Sequence, residues 1–312
     1  MPPVSPEIPC PWCEQATSVA GSACVACGAR LVVADRFRLT GLFGRGGMGT
    51  VYRGRDLMGE HGVVAVKVGR LASAGDWEAV ERFERGAKVL AGLSHPGVPR
   101  VLGQETTPNG TLALVTEALL GGSLHHRVTV EQRRLGAAEV VALLRSLLEL
   151  VAWLHARLPP ILHRDIKPQN ILFREPGGWE PVLVDFDTVA APEGRRSGLT
   201  VVGTIGYTAP EQFAGIVTPS SDLYALGVSL LLVATHQEPM DLPRDREGRF
   251  DVADQLAGLP QAARAVLLRL VEPERSHRFA SAQAALEALD APSAAPPDPE
   301  ADPGSVDAAS GG

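Results

Sequence analysis

Residues 163–170 read HRDIKPQN, and this stretch of sequence decides the fold. Within six positions it holds a carboxylate (Asp165), an ammonium group (Lys167) and a carboxamide (Asn170). Such a trio suits a site that orients a hydroxyl, neutralises a phosphoryl group in transit and holds a divalent metal ion. A single match of eight residues can arise by chance, so the interpretation depends on companion motifs in the right order.

Composition and charge limit the classes of protein to which the chain can belong. Its 312 residues exceed a typical single domain, which predicts one large domain with small additions or two domains. The net charge of −7 argues against a general nucleic-acid-binding surface, so no nucleic-acid partner is expected. The longest apolar run, Leu226 to Ala234, is too short to span a bilayer. The N-terminus has no signal-peptide pattern, and a cytoplasmic location is expected.

The cysteines form two C-x-x-C pairs near the N-terminus: Cys10, Cys13, Cys24 and Cys27. This spacing lets four thiolates converge on one tetrahedral metal ion, and Gly28 supplies the positive φ that such a knuckle turn needs. Two disulfides of a secreted domain and a thioredoxin-like redox pair are the alternatives, but neither secretion nor a βαβ context is indicated. The spacing predicts a structural Zn²⁺ that supplies most of the folding energy of residues 1–30.

Residue periodicity divides the remainder into a β-rich part and a helix-rich part, which predicts an α+β fold. The strand-like runs are Phe37–Leu42, Thr50–Arg53, Val63–Val68, Val98–Leu102 and Leu112–Thr116. The helical runs are Asp76–Leu93, Ala137–Leu158, Ser220–Thr235, Pro260–Val271 and Ser281–Leu289. Residues 31–36 are expected to be a linker, and residues 291–312, rich in Pro, Ala, Ser, Asp and Gly, a disordered tail.

A glycine-rich motif, G-x-G-x-x-G-x-V, occupies residues 44–51 between two strand-like runs. Alone it is a weak signal, because a plain hairpin has the same composition. A dinucleotide-binding fold requires a helix directly after the last glycine, whereas Thr50–Arg53 continues as a strand. A glycine hairpin of this kind can lay backbone N–H groups over nucleotide phosphates.

Two further strands carry charged residues that suit the same site. Strand alternation puts Ala65 and Lys67 on one face, where a small residue leaves room for a base and a cation can grip phosphates. Asp185 ends an apolar strand, and near Asn170 it can share a divalent ion. A solvated lysine and a turn-forming aspartate are the alternatives for each residue by itself. Ala209-Pro210-Glu211 then closes a loop of about 25 residues, which is long for an idle connection.

Together these residues resemble the eukaryotic-like (Hanks-type) serine/threonine protein kinases of bacteria over residues 37–290. The resemblance implies a bilobal fold, with an N-lobe at about 37–118 and a C-lobe at about 119–290, preceded by a zinc-ribbon-like module. It implies transfer of the γ-phosphoryl group of ATP, with Mg²⁺ or Mn²⁺, to a Ser or Thr hydroxyl of a protein substrate. Self-association for trans-autophosphorylation is a further implication. A pseudokinase or nucleotide-binding signalling scaffold is the alternative.

The resemblance also implies roles in nucleotide binding. Lys67 would hold the α- and β-phosphates, and Thr116 would be the gatekeeper. Adenine would pair with the hinge formed by Glu117, Ala118 and Leu119. The glycines over the phosphates would be Gly44, Gly46 and Gly49. The remaining wall of the nucleotide site would include Val51, Ala65 and Leu172.

Catalytic roles follow from the same resemblance. Asp165 would be the catalytic base, Lys167 would contact the γ-phosphate, and Thr204 would contact both. Asn170 and Asp185 would bind Mg²⁺.

The resemblance implies three supporting features. Asp222 would brace the catalytic loop, and Arg278 would pair with Glu211. Arg164 precedes the catalytic aspartate, which implies a loop ordered by phosphorylation. The candidate acceptors are Ser197, Thr200 and Thr204.

The sequence departs from the family pattern after the metal-binding aspartate, where Asp187 replaces the glycine of the DFG motif. An aspartate reaches the left-handed region at a modest cost but is stiffer than glycine. A narrower set of loop conformations is expected, with the metal site kept because Asp185 is intact.

A second departure concerns the helix that should supply a glutamate to Lys67, because Gly86 occupies the expected position. At roughly 100° per residue, Glu81 and Glu84 point away from the required face. A shifted register or a break at Gly86 would be needed to bring Glu84 round. Lys67 is therefore expected to have only Asp185 and the nucleotide as partners, which makes an atypical or partner-activated kinase credible.

Overall fold

The computed structural model describes residues 7–46, 49–69, 77–106, 112–189 and 204–291. Two of the candidate phosphorylation sites, Ser197 and Thr200, lie outside these ranges, as does the expected tail beyond Ala291.

The strands of the first part are β1 (Glu7–Pro9), β2 (Ala16–Ser18), β3 (Val32–Val33), β4 (Phe37–Gly46), β5 (Gly49–Asp56), β6 (Val63–Gly69), β7 (Val101–Thr106) and β8 (Leu112–Glu117). Six of them form an antiparallel sheet in the order β3-β4-β5-β6-β8-β7. Alternation along β6 buries Val64, Val66 and Val68 on one face and leaves Ala65 and Lys67 on the other, which faces a cavity. The strand expected at 98–102 begins later, since Pro99 has no N–H to give to a ladder.

Helices dominate the second part, as the periodicity predicted. They are α2 (Ala137–His155), α3 (Pro219–Thr235), α4 (Gln261–Leu270) and α5 (Ala282–Asp290). Helix α1 (Trp77–Ala91) belongs to the first part and packs with the sheet. Helix α3 is buried on nearly all sides, and its first turn is closed by the N–H of Thr218, which donates to Ser221 Oγ at 3.1 Å. Ser281 caps α5 by accepting from the N–H of Ala284 at 3.1 Å.

A short antiparallel hairpin under the sheet positions the predicted metal-binding residues. Its strands are β9 (Ile171–Phe173) and β10 (Pro181–Leu183). Because antiparallel strands bring the start of one beside the end of the other, Asn170 and the segment after Leu183 are neighbours. The N–H of Val184 donates to the carbonyl of Asn170 at 2.9 Å. This pairing brings Asp185 next to Asn170.

The cysteine-bearing segment packs on the face of the sheet opposite the cavity. Ile8, Cys10 and Leu31 belong to the same buried cluster as Phe37 and Tyr52 of the sheet. Within the segment expected to be a linker, residues 32–33 form β3 and pair with β4. The predicted α+β fold, with two lobes and a small cysteine-bearing hairpin in front, is confirmed. None of the helices in the described ranges has the length and apolar character needed to cross a lipid bilayer.

Candidate active site

A cavity of about 430 Å³ separates the sheet from the β9–β10 hairpin, a size that suits a small-molecule ligand. The predicted residues that line it are Gly44, Val51, Ala65, Lys67, Thr116, Glu117, Leu119, Asn170, Leu172 and Asp185. It is also lined by residues to which the sequence analysis gave no role in nucleotide binding: Phe43, Leu90, Leu114, Gln169, Val184, Phe186 and Asp187. Strand alternation could have identified Leu114, which lies two residues before Thr116 on β8.

The glycine hairpin closes one end of this cavity. Gly46 pairs with Gly49 at the tip, outside the cavity lining. Gly49 has φ +157°, and a Cβ there would lie 2.5 Å from the carbonyl oxygen of Val68, so no other residue fits. A Cβ at Gly44 or Gly46 would meet no atom of the described chain within 4 Å. Their backbone therefore stays open to a ligand.

The predicted catalytic residues converge on the carboxylate of Asp165, which is buried. Lys167 Nζ donates to Asp165 Oδ2 at 2.7 Å and to Thr204 Oγ1 at 2.8 Å, and Thr204 Oγ1 lies 3.3 Å from Asp165 Oδ1. Asn170 Nδ2 donates to the backbone carbonyl of Asp165 at 2.9 Å and to its Oδ2 at 3.0 Å. These four side chains thus form one hydrogen-bonded group beside the cavity.

Asp222, at the start of α3, holds the catalytic loop from beneath. It accepts the backbone N–H groups of His163 and Arg164, each at 2.8 Å, and contacts His155 Nε2 at 2.9 Å. Burial by itself raises the pKa of Asp222, but His155 and the N–H of Arg164 outweigh it and keep that pKa below its ordinary value. Arg164 has φ +68°, a strained conformation that these bonds stabilise.

Among the described residues Lys67 has two carboxylate partners, so the expectation that only Asp185 and the nucleotide would partner it is wrong. Its Nζ donates to Asp185 Oδ1 at 2.8 Å and to Asp187 Oδ2 at 2.6 Å. Burial alone lowers the pKa of Lys67, but the two aspartates outweigh it and raise that pKa. Burial raises the pKa of Asp187 to about 6. The left-handed residue of this turn is Asp185 (φ +70°), and Asp187 lies in a short 3-10 turn, Phe186–Thr188.

A family model described as "Protein kinase domain" matches residues 37–287, the part of the chain that holds five of the six sheet strands, the cavity lining, helices α1 to α4 and most of α5. The chain belongs to the protein kinase family. This assignment agrees with the order of motifs along the chain and with their convergence on one cavity.

The kinase is similar to several curated bacterial proteins. Serine/threonine-protein kinase D of Synechocystis sp. is 31% identical over 272 residues, which cover 82% of this chain and 52% of the relative. Serine/threonine-protein kinase PrkC of Bacillus subtilis is 29% identical over 270 residues, covering 80% and 39%. Serine/threonine-protein kinase pkn3 of Myxococcus xanthus is 34% identical over 220 residues, covering 67% and 39%. The chain spans about half the length of these relatives, or less.

A buried ion pair joins the loop that follows the catalytic segment to the end of the kinase domain. Arg278 Nη1 and Nη2 donate to the two oxygens of Glu211 at 2.7 and 2.9 Å. The Arg278 side chain is fully buried and also donates to three backbone carbonyls: those of Ser220, Glu272 and Pro273. The predicted pairing is therefore present, and it fixes the Ala209-Pro210-Glu211 segment beneath α3.

Replacing Arg278 with alanine is expected to lower the free energy of unfolding by about 3–5 kcal/mol, because Glu211 is left as an unpaired, largely buried charge. Chemical denaturation measures the change. Arg249→Ala is the matched control, since Arg249 pairs with Glu272 at 3.0 Å on the surface. That control should stay within experimental error of the wild type, and equal losses in the two variants would contradict the role of burial.

The four cysteines lie at distances that suit a tetrahedral metal site. Their sulfurs all lie within 4.8 Å of one another, with Cys10–Cys27 at 3.8 Å and Cys13–Cys24 at 3.7 Å. A tetrahedron with Zn–S arms of about 2.3 Å has edges of about 3.8 Å. All four are free thiols, which excludes the disulfide alternative for this structure. Gly28 has φ +73°, as the knuckle turn requires. The donor set therefore fits Zn²⁺.

Proposed function

We propose that the chain is an ATP-dependent serine/threonine protein kinase, which transfers the γ-phosphoryl group of ATP to a protein hydroxyl. The observation that carries the proposal is the ion pair between Lys67 and Asp185, which joins residues 118 positions apart at the cavity that Asn170 also lines. Kinase chemistry needs a lysine for the phosphates and oxygen ligands for the metal at one place.

The side chains around Asp165 support a direct, in-line transfer. The acceptor oxygen bonds to the γ-phosphorus, the bond to the β-phosphate oxygen breaks, and ADP leaves. Asp165 orients the hydroxyl and takes its proton, while Lys167 neutralises charge on the transferred group. Asn170 and Asp185 offer the oxygen ligands that Mg²⁺ or Mn²⁺ prefers, and such an ion stabilises the phosphate charge. Most of the rate enhancement then comes from positioning.

Transfer to Ser and Thr residues of a protein substrate is supported by Lys167 and Thr204. Lys167 spans from Asp165 to Thr204 and closes one side of the site. A lysine at this position is what the family resemblance associates with serine/threonine specificity. The names of the similar bacterial proteins point the same way.

Regulation by phosphorylation of the loop before Thr204 is part of the proposal. Within the described residues, Arg164 Nε is buried and has no hydrogen-bond partner. Burial lowers the pKa of Arg164, and the nearby charge of Arg85 lowers it further. A phosphate group would satisfy both cations. Thr204 is already held by Lys167, so Ser197 and Thr200 are the better acceptors.

For the N-terminal segment, the proposal keeps a zinc-binding module at residues 1–30 in front of a kinase domain at 37–290. The sulfur positions and the free thiols support structural Zn²⁺. Without basic clusters in this segment, contact with protein is favoured over contact with nucleic acid.

Incubation with γ-labelled ATP and Mg²⁺, alone and with a library of Ser-, Thr- and Tyr-containing peptides, tests the proposal. Label is expected on Ser and Thr, and it should disappear with EDTA. Asp185→Asn should raise the Mg²⁺ concentration needed, because one oxygen ligand of the metal is weakened. Binding of nucleotide without any transfer of label would favour the scaffold alternative instead.

A further inference from the structure

We propose that Asp187 is the residue that positions Lys67, in place of a glutamate on helix α1, and that Gly86 is what makes this arrangement fit. The inference rests on the proposed kinase function and concerns the two positions where this chain departs from the family pattern. The two departures compensate each other: the carboxylate that is absent from helix α1 is supplied by the turn that follows the metal-binding aspartate.

The contact between Asp187 and Lys67 is close and sheltered. Asp187 Oδ2 lies 2.6 Å from Lys67 Nζ, and the Asp187 side chain is only 9% exposed. The Lys67 ammonium group also lies 5.4 Å from the centre of the Phe83 ring on α1. A buried ammonium group needs a fixed counter-charge, and Asp187 provides one.

Among the α1 side chains that the structure describes, none offers Lys67 an alternative carboxylate. Glu81 and Glu84 are exposed, and among the described residues the carboxylates paired with Lys67 are those of Asp185 and Asp187. Neither a shifted register nor a break at Gly86 has turned Glu84 inward, because α1 runs unbroken from Trp77 to Ala91.

The backbone of the turn leaves no room for a side chain at position 86 of the helix. A Cβ on Gly86 would lie 2.7 Å from the carbonyl oxygen of Phe186 and 2.9 Å from the Cα of Asp187. Both are backbone atoms that cannot move aside as a flexible side chain would. The backbone of α1 therefore rests directly on the turn, and this close approach holds Asp187 under Lys67. A glutamate at position 86 and the present turn exclude each other sterically.

With Asp187 present, one carboxylate can bind the metal while another neutralises Lys67. Asp185 is the proposed metal ligand, so its charge is shared with Mg²⁺ once nucleotide is bound. Lys67 would then lose much of its only counter-charge if residue 187 were glycine. With Asp187 in place, Lys67 keeps a partner that does not take part in metal binding, and its Nζ stays directed at the phosphates.

Asp187→Asn tests the inference, because it keeps the shape of the side chain and removes its charge. The value of kcat should fall about 10- to 100-fold, as is typical when a residue that orients a functional group is lost. The affinity for MgADP should fall as well, because Lys67 is proposed to hold the α- and β-phosphates, whereas the melting temperature should change little. Asp187→Glu should recover part of the loss. Asp251→Asn, the same change at an exposed site, is the matched control and should leave every value unchanged.

A double-mutant cycle addresses the pairing of Asp187 with Gly86. Gly86→Glu alone should be harmful, because it clashes with the turn, and Asp187→Gly alone should lower kcat. The double variant should be more active than the two single losses predict, since glycine loosens the turn and glutamate restores a counter-charge. Additive losses would show that the two positions are independent and would overturn their joint role.

The rate at which acetic anhydride acetylates Lys67, measured by mass spectrometry, tests the contact with Asp187 without an activity assay. Loss of the partner should raise the rate at Lys67 in Asp187→Asn but not in Asp251→Asn. An unchanged rate together with kcat within about twofold of the wild type would refute the positioning role. If the wild type transfers no phosphate, the proposed function fails, and the acetylation rate still decides whether Asp187 holds Lys67.

Discussion

Replacing Asp165 with asparagine is expected to lower kcat for phosphoryl transfer about 10²- to 10⁴-fold, the usual effect of removing a general base. Asparagine keeps the size of the side chain and its contact with Lys167 but cannot take up the proton of the acceptor hydroxyl. Nucleotide affinity should stay near the wild-type value, because Asp165 is not among the residues that line the cavity. Single-turnover transfer from γ-labelled ATP, with MgADP binding measured in parallel, gives both numbers.

The Mg²⁺ dependence separates this effect from a general loss of the site. Asp165→Asn should keep the wild-type Mg²⁺ midpoint, whereas Asp185→Asn should shift it upward, since only Asp185 is a proposed metal ligand. A value of kcat within about threefold of the wild type in Asp165→Asn would show that another group accepts the proton.

Removal of the metal from the four-cysteine site is expected to unfold the N-terminal module and to weaken the sheet behind it. Cys10→Ser should abolish the binding of one Zn²⁺ per chain and lower the melting temperature by about 10 °C. The loss of metal binding removes several kcal/mol of folding free energy, and each kcal/mol shifts the melting temperature of a domain of this size by about 2–4 °C. The effect reaches the sheet because Cys10 shares a buried cluster with Phe37 and Tyr52. Elemental analysis and thermal unfolding provide the measurements.

Loss of the metal should also affect nucleotide binding by the glycine hairpin. Cys10 and Glu14 of the module border a small cavity together with Arg45 and Thr50, which lie near the hairpin tip. The KM for ATP should therefore rise when the metal is removed. Val25→Ser is the matched control, because Val25 lies in the second knuckle but is 87% exposed. Metal-free wild-type protein with an unchanged melting temperature in Cys10→Ser would contradict the zinc proposal.

The sequence was sufficient for the features that depend on local motifs. The order of the charged residues predicted which side chains meet where the geometry is local, in a short turn or at the end of a strand. Asn170 and Asp185 are an example, since hairpin pairing alone makes them neighbours. The helix boundaries also followed from periodicity, although α2 ends at His155 before a pair of prolines.

The partner of Lys67 could not be predicted in the same way. The role of Asp187 depends on how closely α1 approaches the turn at Phe186, and that distance is set by the absence of a side chain at Gly86. A glycine within a helix indicates only a slightly lower helix propensity, and no local pattern connects Gly86 with a residue about one hundred positions away. Likewise, Val32 and Val33 of β3 gave no periodic signal, because a strand of two residues is too short to show one.

The packing of the cysteine module on the sheet has a practical consequence for anyone who isolates the catalytic part. The family match starts at residue 37, but a polypeptide trimmed to that limit would lose Ile8, Cys10, Leu31 and Val33 from the buried cluster that they share with the sheet, and so would expose part of that cluster to water. A contiguous apolar surface of this kind promotes aggregation. The expressed polypeptide should therefore begin upstream of Glu7, so that the cysteine-bearing segment still covers the apolar face of the sheet.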